Sequence, residues 1–178
     1  MKTIVLFVLI VLFCQTALSQ QPAPNVNWDS LKFLLGKWVG EGSSEVGSGS
    51  GYFTFEVSLN GKVLVRKNHA EYPATKDRPV FTHDDLMIVY ADQATKQFRA
   101  FYTDSEGNVI NYILSVSSDG KSVVFLSDPQ SAGPRYRLTY VLTQPDKMAL
   151  TFEIAPADKP DQFKKFIEGK VRKSSGVN

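Results

Sequence analysis

Cysteine is almost missing from this chain of 178 residues, with Cys14 the single one, and histidine is nearly as scarce, with His69 and His83 alone. That scarcity excludes a disulfide framework and leaves no cysteine-rich metal centre. Charge of one sign is lacking too. Twenty Lys+Arg face eighteen Asp+Glu for a formal +2, and without a basic block there is nothing to grip a nucleic-acid backbone. No Gly-rich loop ends in Lys-Ser or Lys-Thr, which removes the usual nucleotide-phosphate cradle. Gly47-Ser48-Gly49 and Gly49-Ser50-Gly51 lie in no strand-to-helix turn, so they read as a flexible loop rather than a nucleophile elbow. The longest apolar run, 4–13, is too short to span a ~30 Å hydrocarbon layer as a helix.

Apolar residues are plentiful, at 43% hydrophobic and 12% aromatic, which excludes a disordered chain and suits one ordinary domain. Lys2, the 4–13 run and the small-x-small exit Ala17-Leu18-Ser19 describe a secretory signal peptide over 1–19. Cleavage after Ser19 would leave a secreted or periplasmic chain without cysteine. The expected organisation is a signal peptide (1–19), a lead with a short helix (20–36), a β-barrel domain (37–173) and a C-terminal tail (174–178).

Asp29 or Ser30 can cap a short helix over 28–35, stopped by Gly36. Helix signals then cease. Short β-branched and aromatic runs alternate with turn residues every eight to twelve positions. They predict ten strands, at 37–43, 51–59, 62–72, 83–91, 96–104, 109–117, 121–127, 134–143, 147–155 and 162–173. Asn60-Gly61, Asp92 to Thr95, Glu106-Gly107, Asp119-Gly120 and Pro145-Asp146 punctuate them as hairpin turns. A ten-strand meander loses its exposed edges by closing, so the expected fold is all-β, a single up-and-down antiparallel barrel.

Two-residue turns fix register and so sort side chains by face. Around Asn60-Gly61 the inner face carries Phe53, Phe55, Leu64 and Arg66, with Arg66 opposite Phe55. Around Glu106-Gly107 it carries Arg99, Phe101, Ile110, Tyr112 and Leu114, and it continues through Val123 and Phe125. Around Pro145-Asp146 it carries Arg137 with Val141, Leu150 and Phe152, although the opposite face (Tyr136, Leu138, Tyr140, Leu142) is equally apolar. Three guanidiniums thus share inner faces with hydrophobic side chains, and a buried charge needs a partner. Two readings stay open. Either Arg66, Arg99 and Arg137 hold the anionic end of a small hydrophobic ligand whose body lies on Phe55, Phe101, Tyr112 and Phe125, or they form internal ion pairs, as with Asp84, or reach a barrel rim.

Gly36-Lys37-Trp38-Val39-Gly40-Glu41-Gly42 opens the first strand. Its glycines permit a sharp bend and close approach, and Trp38 would plug one barrel end. This G-x-W-x-G-x-G string before a ten-strand meander resembles nitrobindins and related lipocalin-like (calycin) barrels. The resemblance implies a structural role for Gly36, Trp38, Gly40 and Gly42, with a basic residue of the last strand, Arg172, packed on the tryptophan. It also implies ligand binding inside the barrel. Nitrobindins hold haem through a late histidine, whereas no histidine follows His83 here, so no cofactor is expected and haem is disfavoured. Fatty-acid-binding relatives carry a helical lid between strands one and two, for which residues 44–50 are too few.

His69-Ala70-Glu71 and His83-Asp84-Asp85 are the clusters with metal or acid/base potential. Register places His69 outside, and a four-residue Asp92 to Thr95 loop would turn Asp84 inward and His83 outward, so no metal site is expected. The principal expectation is a carrier of a small, hydrophobic, fatty-acid-like molecule, with no nucleic-acid partner and no membrane span after signal removal. The alternatives are a hydrolase or isomerase using a cavity carboxylate (Asp84 or Glu41) assisted by His83 or His69, and a filled barrel that meets another protein through Tyr52, Tyr72, Tyr102 and Tyr136.

Overall fold

In a computed structural model, residues 28–42, 49–130 and 132–175 are described; the expected signal peptide, residues 20–27 of the lead and the last three of the tail lie outside them. A 3₁₀ helix, Trp28–Leu34, precedes ten strands: β1 Gly36–Gly40, β2 Ser50–Ser58, β3 Val63–Tyr72, β4 Phe81–Ala91, β5 Phe98–Asp104, β6 Val109–Val116, β7 Ser122–Ser127, β8 Arg135–Gln144, β9 Lys147–Ala155 and β10 Lys164–Lys173. Each strand pairs antiparallel with its sequence neighbours, and β1 pairs with β10, so the meander closes into a barrel. Closure satisfies the strand edges that an open sheet would leave exposed. Among the described residues, no helix is long and apolar enough to cross a membrane.

One end is plugged by the 3₁₀ helix. Its spacing puts Leu31 and Leu34 on one side, and both are buried, as is Trp38. The indole Nε1 donates to the Leu34 carbonyl at 2.8 Å, which ties the plug to β1. The cation over the Trp38 ring is Lys173, at 5.4 Å. Arg172, expected there, stands opposite Val39 on the exposed face, because the register pairs Trp38 with Lys173. Gly36, at φ +104°, makes the corner out of the helix. Gly51 has a different constraint, since a Cβ there would lie 2.3 Å from the His69 carbonyl oxygen.

The middle of the barrel is filled by rings. Phe53, Phe55, Tyr112, Phe125 and Tyr140 are all nearly inaccessible. Phe55, Phe125 and Tyr112 meet edge to face, through Tyr140 in the case of Phe55, at centroid distances of 5.8–6.1 Å. Each such pair adds about 0.5–1.5 kcal/mol beyond area burial. Phe55, Tyr112 and Phe125 therefore point inward as expected, yet they pack on one another rather than lining a hollow.

Two hairpins depart from the expected register. The β5–β6 connection is a three-residue loop, Ser105-Glu106-Gly107, with Gly107 at φ +85° and Asp104 bonded to Asn108 across it. A type I turn with a left-handed Gly adds one residue relative to a two-residue turn. A one-residue slip exchanges faces: Ala100 and Tyr102 pair with Tyr112 and Ile110 inside, while Arg99 and Phe101 face out. Phe101 is 38% exposed. The error carries into β4, where His83 and Asp85 point inward and Asp84 outward. In β8 a bulge between Leu142 and Gln144 has the same effect. Leu138 and Tyr140 are buried, and Arg137 is on the outer face.

Candidate functional site

The barrel end opposite the plug carries two unlike walls. Strands β3, β4 and β5 bring Arg66, Asn68, His83, Asp85, Tyr102 and Asp104 to it, because these positions alternate with outward ones along each strand. Strands β8, β9 and β10 bring Tyr136, Phe152 and Ile167. Tyr136 stacks on Phe152 with centroids 5.9 Å apart. A bulge between Lys165 and Ile167 turns Phe166 edge-on to Phe152 at 6.3 Å, and that ring remains 67% exposed. Among the described residues nothing helical covers this end.

Arg66 lies at the floor. Its guanidinium pairs with Asp85, and both side chains are almost wholly buried. It also sits over the Phe53 ring, 5.2 Å from the centroid. Two donors at this level, Arg66 Nε and the Tyr140 hydroxyl, are buried without a hydrogen-bond partner. The Tyr140 hydroxyl lies within the reach of the Arg66 charge, but no hydrogen bond of ordinary geometry joins them. Burial pushes Tyr140 up to about 12, and it also raises Tyr102 and Tyr112. All three hydroxyls keep their protons at neutral pH and remain donors.

His83 spans the rim. Its Nδ1 is 2.7 Å from Glu106 and its Nε2 3.4 Å from Asp85. The hydrogen bond to Asp85 pushes the imidazole up to about 9, against the opposing effect of burial and with help from Glu106. His83 is therefore an imidazolium at neutral pH, tied at both nitrogens. His69 is outside, bonded to Asp84 at 2.7 Å. Each histidine thus has carboxylate partners of its own, His83 at both ring nitrogens and His69 on the outer face.

The other arginines have partners of their own. Arg99 pairs with Asp128. Arg137 forks onto Glu153 through two bonds of 2.6 and 2.7 Å, under an open groove of about 630 Å³ that Phe163 helps line on the outer face. That bond holds Glu153 below the usual carboxylate range. Of the proposed ligand-binding arginines only Arg66 reaches the interior, and Phe101 is on the opposite side of the sheet from Tyr112. The carboxylates considered for catalysis are not free in the interior either, with Asp84 exposed and Glu41 3.4 Å from Lys147. Of the tyrosines considered for a protein-binding surface, Tyr102 and Tyr136 turn inward and pack on the core.

Sequence reasoning placed Phe152 on an inner face, as found, but it missed Asp85 as the partner of Arg66, the inward turn of Tyr140 and the part of Phe166. The even alternation of Tyr136, Leu138, Tyr140 and Leu142 was the available signal for Tyr140, but the opposite face of β8 is similarly apolar, and the bulge between Leu142 and Gln144 decides between them. The closed ten-strand antiparallel barrel is consistent with a lipocalin-like fold. No family model matches the chain, and no curated protein matches it.

Proposed function

We propose that the protein binds a small, fatty-acid-like amphiphile at the unplugged end of the barrel. The oxygen-bearing end would approach Arg66 and Tyr140, and the hydrocarbon body would lie on Tyr136, Phe152, Phe166 and Ile167. The observation that carries this reading is the pair of buried donors without an acceptor, Arg66 Nε and Tyr140 Oη, beneath an exposed aromatic wall. Buried donors in native proteins nearly always find partners, and a carboxylate or carbonyl oxygen supplies acceptors alone. The packed centre limits the ligand to the upper part of the barrel, so a short chain suits it better than one threaded through the lumen. Secretion after removal of residues 1–19, membership among nitrobindin-like barrels and the lack of a haem belong to the same proposal.

The test is titration with a fluorescent fatty-acid probe. Tyr140→Phe and Phe166→Asp should each weaken binding about tenfold, which corresponds to about 1.4 kcal/mol. Arg137→Ala and Phe101→Ser, on the outer face, should leave it unchanged. Equal binding by all four variants would remove the proposed roles, and native mass spectrometry of the purified protein should show retained lipid.

A further inference from the structure

A second cluster at the same end has no part in holding an amphiphile. His83, from β4, and Asp104 and Glu106, from the β5–β6 hairpin, each offer one ligand atom, and these atoms lie within 4.8 Å of one another. The pairing of β4 with β3 sets His83 opposite Ala70, on the inward face that Arg66 and Asn68 share, and the pairing of Asp85 with Asp104 brings the β5–β6 hairpin beside it.

We propose that His83, Asp104 and Glu106 form a binding site for one divalent transition-metal cation, with zinc the best fit. Imidazole with two carboxylates is a donor set that zinc accepts, with solvent at a fourth position. Calcium and magnesium prefer oxygen ligands alone and would use the imidazole poorly. Charge supports the assignment independently. Asp85, Asp104 and Glu106 stand close together, and Arg66 is the one guanidinium paired into the group. Metal binding would displace the proton that His83 otherwise carries; three carboxylates against one guanidinium then leave two negative charges, which a divalent cation balances. Asp85 is directed at the ring nitrogen opposite Glu106, at 3.4 Å, and it would orient the imidazole as outer partners of ligating histidines do.

The site is tested by calorimetric titration of chelator-treated protein with zinc chloride, and separately with calcium chloride. The expected result is one zinc per chain, at least about tenfold weaker binding in His83→Gln and in Glu106→Gln, little heat with calcium, and no change in His69→Gln. Glu106 is an exposed hairpin residue, so its variant keeps the test usable should His83→Gln fold poorly. Saturating zinc should also raise the melting temperature of the parent protein and not of Glu106→Gln. Undiminished zinc binding in both His83→Gln and Glu106→Gln, loss of binding in His69→Gln, or calcium binding as tight as zinc would overturn the assignment.

Discussion

Removal of the Asp85 carboxylate should be among the most damaging single changes in this protein. The Arg66 and Asp85 side chains are 8% and 4% exposed, and they pair across neighbouring strands beneath the rim. Asp85→Ala leaves a guanidinium among Phe53, Tyr140 and Tyr112 with no counter-charge, and breaking a buried pair from one side costs about 3–5 kcal/mol. For a domain of this size each kcal/mol moves the melting temperature by about 2–4 °C, so a drop of roughly 6–20 °C is expected. The double variant Arg66→Met with Asp85→Leu removes both charges and fills similar volume. It should recover most of the loss, because the pair's attraction and its desolvation cost nearly cancel. Urea unfolding followed by circular dichroism would measure Asp85→Ala beside the cycle of parent, Arg66→Met, Asp85→Leu and the double variant. If Asp85→Ala lost less than about 1 kcal/mol, Arg66 would have to be solvated, and the description of the barrel floor would be wrong.

Three further outcomes follow from the same geometry. Phe125→Ala, in the packed centre, should cost about 3–5 kcal/mol, whereas Phe101→Ser should cost well under 1 kcal/mol; equal losses in urea unfolding would contradict the β5 register. Gly51→Ala places a methyl group 2.3 Å from the His69 carbonyl oxygen, so β2 and β3 must separate locally, and hydrogen exchange along that pair should accelerate while the β6–β7 pair stays protected. The imidazole of His83, raised to about 9, stabilises the fold fully below its ordinary value near 6.5. That contribution is lost as pH rises through 9, and solvent screening at the rim holds it to about 1 kcal/mol. With chelator present, parent stability should fall across this window while His83→Gln stays flatter, and parallel curves would refute the assigned cause.

The fold was legible because turn residues and alternation agree over most of the chain. Asn60-Gly61 is part of a longer turn, with Leu59 and Asn60 both at positive φ, but the pairing of Phe55 with Arg66 survives since the count across it is unchanged. The site was less legible because it depends on counts that differ by one. Asp104-Ser105-Glu106-Gly107 reads as a two-residue turn until Asp104 is seen accepting from Glu106 and Asn108. That single residue decides whether Arg99 or Tyr102 joins Tyr112 inside the barrel, and miscounting it also misplaces Asp84 and Asp85, whose faces the pairing of β4 with β3 fixes. In β8 the bulge at Thr143 hid Tyr140 in the same manner. Both faces of β5 and β8 carry bulky apolar groups, so hydrophobic patterning alone left these strands ambiguous where Phe53 and Phe55 left β2 unambiguous.

The most direct measurement of amphiphile binding at the unplugged end is a two-dimensional amide NMR titration with a medium-chain fatty acid. Saturable shifts should concentrate at Arg66 to Ala70, His83 to Met87, Tyr136 to Leu138, Phe152 to Ala155 and Phe166 to Gly169, with the plug around Leu31 and Trp38 silent. Shifts confined to the outer groove at Val124, Leu126 and Phe163, or no saturable shift at all, would contradict the account.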